Sequence, residues 1–310
     1  MLPPTRETLR VRVLVGVLAA GVVLVLGACA SPPVSAPSAA VAVPAQQHEM
    51  AYPGVERLSD LSYGSAGGQD LRLDVCLPPD AVSTGRPAIV GVHGGSWRGG
   101  DKANQSWTGI CRWLASEGYV TVSVNYRLAP AFTFPAQIVD VRQVVRWLRD
   151  PAQVARFGID PARIGAIGGS AGGNLVALLG TEGSGAWDAG TRVAAVVDLS
   201  GPVDLTAAGA ATSDFQQTQL SYLGCASYAR CPAARDASPV FHVDATDPPF
   251  FVAHSTQEFI PLAQATEFVA ALRAHGVATT FVTQSGTKHA VAMLDDALRA
   301  QITEFFHKVL

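Results

Sequence analysis

The sequence predicts an α/β fold, a mostly parallel sheet with helices on both faces. Three observations predict it. The folded part opens with two strand-like segments joined by a Gly-rich turn. Strand-like and helix-like segments then alternate as repeated β–α units. The strand at Pro87–His93 is an apolar run, as a strand buried on both faces requires.

The elements follow in order. Val55–Leu61 and Leu71–Leu77 read as strands around Gly64-Ser65-Ala66-Gly67-Gly68, an antiparallel hairpin. After Pro87–His93, helical spacing over Ala103–Glu117 stops at Gly118, and Tyr119–Tyr126 is the next strand. Ile138, Val141, Val145 and Leu148 recur at helical spacing behind Pro135. Arg163–Gly169 is a strand ending in a Gly-rich turn, and Ala171–Gly180 is the helix beyond it. Val193–Leu199, Pro249–His254 and Thr279–Gln284 are strands, with a helix over Leu262–Arg273. The last helix aligns Val291, Leu294, Leu298, Ile302 and Phe305 on one face. No internal repeat interrupts this order, so residues 53–310 read as one domain.

Ahead of it lie two segments of different character. Arg6, Arg10 and Arg12 make a basic start, and no polar side chain occurs from Val13 to Ala28. That stretch is short for a membrane span, which wants about 20 apolar residues, and suits a signal peptide, residues 1–28. Leu26-Gly27-Ala28-Cys29 resembles a bacterial lipobox, which implies lipid on Cys29 and anchoring to the outer face of the membrane in the cell envelope. Residues 29–52, rich in Ala, Pro, Ser and Val, then read as a flexible linker.

Composition narrows the partners. The chain of 310 residues is 48% hydrophobic and 15% charged, with a net charge of −3, so a full core is available. No Lys/Arg run exists, which excludes the usual footprint of a nucleic-acid partner. Besides Cys29 there are Cys76, Cys111, Cys225 and Cys231, an even number that reads as two disulfides in an exported chain. Cys225 and Cys231 bracket a short loop and are expected to pair, leaving Cys76 for Cys111. Free buried thiols are the alternative, since Cys111 shares an apolar helical stripe with Trp107, Ile110 and Leu114.

The chemistry concentrates at Gly168-Gly169-Ser170-Ala171-Gly172, a G-x-S-x-G match between a predicted strand and a predicted helix. A serine on so tight a turn needs tiny neighbours, and the helix aims its N-terminal amides at whatever Ser170 attacks. Upstream, His93-Gly94-Gly95-Ser96-Trp97 ends the strand Pro87–His93. The N–H groups of Gly94 and Gly95, with that of Ala171, form a candidate oxyanion hole. His93 reads as an organiser of that loop. No metal-ligand spacing and no cofactor motif is present.

HGGSWRGGDK (93–102), NYRLAP (125–130), FPAQIVDVRQVVRWL (134–148), FGIDPARIGAIGGSAGGNL (157–175), SGPVDL (200–205), ASPV (237–240) and PFFVAH (249–254) resemble the α/β-hydrolase superfamily. The branch they resemble is that of hormone-sensitive-lipase-like esterases and bacterial feruloyl-esterase-type carboxylesterases. The resemblance implies an α/β-hydrolase fold and the order nucleophile, acid, base. His289, in Gly286-Thr287-Lys288-His289 after a strand, matches the family's base; His275 closes a helix and His307 lies inside one. Relatives carry H-G-x-x-D-x-x-V-P where this chain reads His254-Ser255-Thr256-Gln257-Glu258-Phe259-Ile260-Pro261, so Glu258 stands at the acid position. Asp204 is the other candidate acid. Residues 202–248 read as a small cap insertion whose aromatics, with Trp97, are candidates for the pocket wall. The expected function is a serine carboxylic-ester hydrolase acting on short-chain or small aromatic esters through an acyl-enzyme. An amidase or formamidase with the same triad, or a non-catalytic envelope binding protein, are the rivals. Oligomeric state is left open.

Overall fold

The computed structural model describes residues 52–80, 84–209 and 213–310. The signal segment, Cys29 and nearly all of the linker lie outside the described residues. Eight strands form one sheet: β1 (Glu56–Ala66), β2 (Gln69–Leu77), β3 (Arg86–Val92), β4 (Val120–Val124), β5 (Ile159–Gly169), β6 (Ala195–Leu199), β7 (Phe250–Ser255) and β8 (Thr279–Gln284). Their spatial order is β1-β2-β4-β3-β5-β6-β7-β8. β1, β2 and β4 pair antiparallel; every pair from β4–β3 to β7–β8 is parallel. This is the α/β-hydrolase fold.

The hairpin turn is tighter than its five small residues predict. Ala66 pairs with Gln69, so only Gly67 and Gly68 turn, with φ of 58° and 75° that glycine adopts at no steric cost.

The helices are α1 (Gln105–Ser116), α2 (Ala136–Arg149), α3 (Pro151–Phe157), α4 (Ala171–Thr181), α5 (Ser213–Leu223), α6 (Pro232–Asp236), α7 (Leu262–Ala274) and α8 (Asp296–Val309). Asn104 caps α1 by accepting the Trp107 N–H at 3.0 Å, and Asp295 caps α8 through Leu298. The short α3 was not visible as periodicity. Asp150 caps it, Pro151 opens it and Gly158 ends it in a left-handed conformation, so local chemistry holds seven residues together.

Alternate residues along the central strands face opposite layers. Val90, Ala166, Val196 and Val252 meet Ile138, Val141, Leu175 and Phe268 on one face. Ile89, Ile167, Val197 and Phe251 meet Trp107, Leu114, Leu298 and Ile302 on the other. Both registers are apolar because both faces are covered. The last helix corrects one expectation: its buried stripe is Leu298, Ile302 and Phe306, four residues apart, while Val291 lies in a preceding 3₁₀ turn and Phe305 packs at the margin on Phe251. Among the described residues no helix is long and apolar enough to cross a membrane.

Candidate active site

Ser170 sits between β5 and α4 with φ 57° and ψ −123°, a conformation that side chains rarely adopt. Its neighbours hold it there. Ser170 N–H donates to the Leu199 carbonyl at 2.9 Å, and its own carbonyl accepts Asn174 N–H at 3.0 Å. Gly172 is obligatory by packing, since a Cβ there would overlap the Val92 carbonyl. With Ser170 outside the helix, the N–H of Ala171 has no carbonyl in the preceding turn to receive it.

The loop after β3 lies against this turn. A Cβ on Gly94 would stand 2.8 Å from the Gly169 carbonyl and 3.1 Å from Ser170 Cβ. His93 is buried and stacks on Tyr126 at 4.5 Å; its Nδ1–H donates to the Gly94 carbonyl at 2.8 Å. Burial holds its pKa below the ordinary histidine value, as suits a neutral organiser. Trp97 is also buried, not at the pocket wall, and its indole N–H donates to Asn174 Oδ1 at 3.2 Å. Asn174 in turn donates to the Pro202 and Ala237 carbonyls, both at 3.0 Å, so it joins three loops around the turn. At the far end of the loop, Lys102 Nζ reaches Asp74 at 2.8 Å and Asp60 at 2.7 Å. Burial raises the Asp74 carboxyl, but Lys102 and Arg57 outweigh it and hold the group below the usual carboxylate range.

His289 follows β8, and its Nδ1 is hydrogen-bonded to Glu258 Oε2. The Glu258 carboxylate is fully buried. The Nε2 of His289 is buried without a partner among the described residues. The Phe259 ring covers His289 with centroids 4.4 Å apart. Ala290 N–H donates to Ser200 Oγ at 3.1 Å and anchors the loop. Asp204 is engaged elsewhere: its Oδ1 accepts the Thr206 N–H at 2.8 Å. His275, which caps the end of α7, and His307, in α8, are both exposed.

Ser170, His289, Gly94 and Gly95 line one cavity of about 600 Å³. Its remaining wall comes from an unexpected place. Asn104, Gln105, Ser106 and Trp107, at the N-terminus of α1, line it together with Phe259 and Val291. Among the described residues none of the 202–248 insertion lines it. Two of the insertion's aromatics pack behind the wall instead: Tyr222 stacks on Trp97 at 4.2 Å, and Phe215 lies 6.3 Å from Trp97 and edge-on against Phe259 at 5.4 Å. Burying these rings together excludes more water than exposing them to a polar cleft. Nothing in the local pattern marks Phe259 or the α1 segment for the site; Asn174, a polar residue on an apolar helix, does carry a signal.

Cys76 is bonded to Cys111 and Cys225 to Cys231, with Cα atoms 5.7 and 5.6 Å apart. The first bond pins α1, whose N-terminus walls the cavity, to β2.

A family model described as BD-FAE matches residues 73–272. The chain belongs to the BD-FAE family. This BD-FAE member is 33% identical over 253 residues to the esterase LipQ of Mycobacterium tuberculosis, an alignment covering 79% of this chain and 59% of LipQ. The chain spans between half and three fifths of the length of the mycobacterial relatives it matches. Among solved structures, a truncated carbohydrate esterase from gut microbiota superposes with a TM-score of 0.72 at 26% identity, over 82% of this chain and 95% of that one. The butyrate-bound esterase Est2 of Thermogutta terrifontis gives 0.66 at 25% identity, over 83% and 95%.

Proposed function

We propose that this BD-FAE member is a serine carboxylic-ester hydrolase that works through an acyl-enzyme. The observation that carries the proposal is one cavity lined both by Ser170 and by a histidine whose Nδ1 is bonded to a buried carboxylate. His289 Nε2 takes the Ser170 proton as Oγ attacks the ester carbonyl. The oxygen that gains charge is received by the N–H groups of Ala171, Gly94 and Gly95, each such donor being worth roughly 3–4 kcal/mol. His289 then protonates the departing alcohol. Water, deprotonated by the same Nε2, releases the acid and returns the proton to Oγ. Glu258 fixes the tautomer by accepting Nδ1–H and stabilises the imidazolium formed in each half.

Short acyl groups or small aromatic rings suit the apolar side formed by Trp107, Phe259 and Val291, and the butyrate carried by Est2 supports the first. The proposal is tested with paired p-nitrophenyl esters and anilides of graded acyl length, on the wild type and on Ser170→Ala. Ester turnover lost in the variant supports it. Anilide turnover as fast as ester turnover makes the protein an amidase. No turnover and no labelling by a fluorophosphonate makes it a binding protein.

Export and lipid attachment at Cys29 belong to the same proposal and rest on the sequence of residues 1–29. Cys29→Ala moves the protein out of the membrane fraction if the lipid is its anchor; attachment that persists after cleavage refutes this.

A further inference from the structure

Glu258 is held by more than His289. Its second oxygen, Oε1, accepts the Ser255 backbone N–H at 3.3 Å and lies 3.3 Å from Nε2 of His254. His254, on β7, is 1% exposed, and the same Nε2 is 2.9 Å from the Ile260 carbonyl. A carbonyl oxygen can only accept, so Nε2 carries the proton and donates it to Ile260, with the positive N–H edge of the ring lying against the carboxylate. Nδ1 is then bare, and it is buried with no partner among the described residues. Burial, opposed in part by Glu258, holds the His254 pKa below the ordinary value, so the ring is a neutral donor.

We propose that His254 is a positioning residue for the acid: its Nε2–H holds Glu258 in the rotamer that turns Oε2 to His289. This rests on the reading of Glu258 as the triad acid. The physical need is specific to glutamate, which has one more rotatable bond than aspartate and, when fully buried, requires its lone pairs filled. Two hydrogen bonds reach it, from His289 on Oε2 and from Ser255 N–H on Oε1, and the Nε2–H edge of His254 lies 3.3 Å from Oε1. A neutral donor serves better than a cation, because a charged His254 would compete with the imidazolium for the same negative charge. The ionisable groups around the carboxylate are His254 on β7, His289 after β8 and Asp198 on β6, whose carboxyl feels the Glu258 charge.

The test is a double-mutant cycle on one activated ester with the full chain. His254→Leu is expected to lower kcat about 10- to 100-fold with KM nearly unchanged. It also moves the acid limb of kcat/KM to higher pH, because the Glu258–His289 pair loses a donor that favours the anion. In the Glu258→Gln background the same substitution is expected to change kcat less than about twofold. His254→Gln, whose amide N–H can serve both acceptors, is expected to recover most of the loss. Should His254→Leu fail to fold, His254→Asn, whose amide is too short to reach Oε1, is run in both backgrounds in its place, and a deficit confined to the Glu258 background supports the proposal. Normal kcat in His254→Leu, or the same fractional loss in both backgrounds, overturns it. A near-normal Glu258→Gln enzyme instead removes the acid reading on which it rests.

Discussion

Gln257 donates its backbone N–H to the Gly286 carbonyl at 2.9 Å. Thr256 N–H donates to the Gln284 carbonyl at 2.9 Å, and Gly286 N–H returns to Thr256 Oγ1 at 3.3 Å. These bonds extend the parallel pairing of β7 and β8 beyond Ser255 and Gln284. The turn carrying Glu258 and the loop carrying His289 therefore form one hydrogen-bonded unit, although the two residues lie 31 apart in the chain.

Glu258→Gln should lower kcat by at least about 10²-fold with little change in KM, because the amide removes the charge that stabilises the imidazolium. Glu258→Asp retains the charge and shortens only its reach, so it should keep more activity than Gln. Asp204→Asn should stay within about twofold of wild type, since that carboxylate serves the Thr206 turn. A strong loss in Asp204→Asn beside a silent Glu258→Gln would reverse the assignment.

Gly94→Ala should lower kcat by roughly 10²-fold, the scale of one lost oxyanion donor. Its new Cβ must push the loop away from Gly169 and Ser170. Steady-state kinetics on a p-nitrophenyl ester decide the matter, and wild-type kcat would remove Gly94 from the oxyanion hole.

Thiol titration of the unfolded, unreduced protein should find none of Cys76, Cys111, Cys225 and Cys231 free. Replacing Cys76 and Cys111 together by Ser opens a 35-residue span. In the loop-closure view this costs about 4 kcal/mol, against about 2 kcal/mol for the 6-residue span of Cys225–Cys231. Denaturant midpoints of the two double variants give the comparison; an unchanged midpoint for the first contradicts it.

Burial, with the Glu258 charge and against the Gly201 N–H, pushes the Asp198 carboxyl up to about 7. Its folded pKa thus lies above its unfolded value, so the native state binds the extra proton between pH 4 and 7. Stability from this group is present at the acid end and is lost as pH rises through 7. Asp198→Asn should therefore gain stability over wild type at pH 8 on the order of 1 kcal/mol, roughly 2–4 °C in Tm, and less at pH 5. Equal Tm differences at both pH values would show that Asp198 ionises normally.

The strand and helix order was legible in the amino-acid sequence because periods of 2 and 3.6 residues are local properties. The strained turn at Ser170 was legible for the same reason: its small neighbours are adjacent in the chain. So was the place of His289 just after the last strand. Tertiary structure decided what depends on register between distant segments. The pairing of β7 with β8 put Glu258, rather than Asp204, against His289. The packing of Tyr222 and Phe215 on Trp97 left both rings out of the cavity lining, and the N-terminus of α1 supplies wall in their place. Nothing local distinguishes these outcomes, because an aromatic ring or a carboxylate has the same chain neighbours whichever surface it meets. Only the folded sheet, by fixing which loops share its edge, selects the partner.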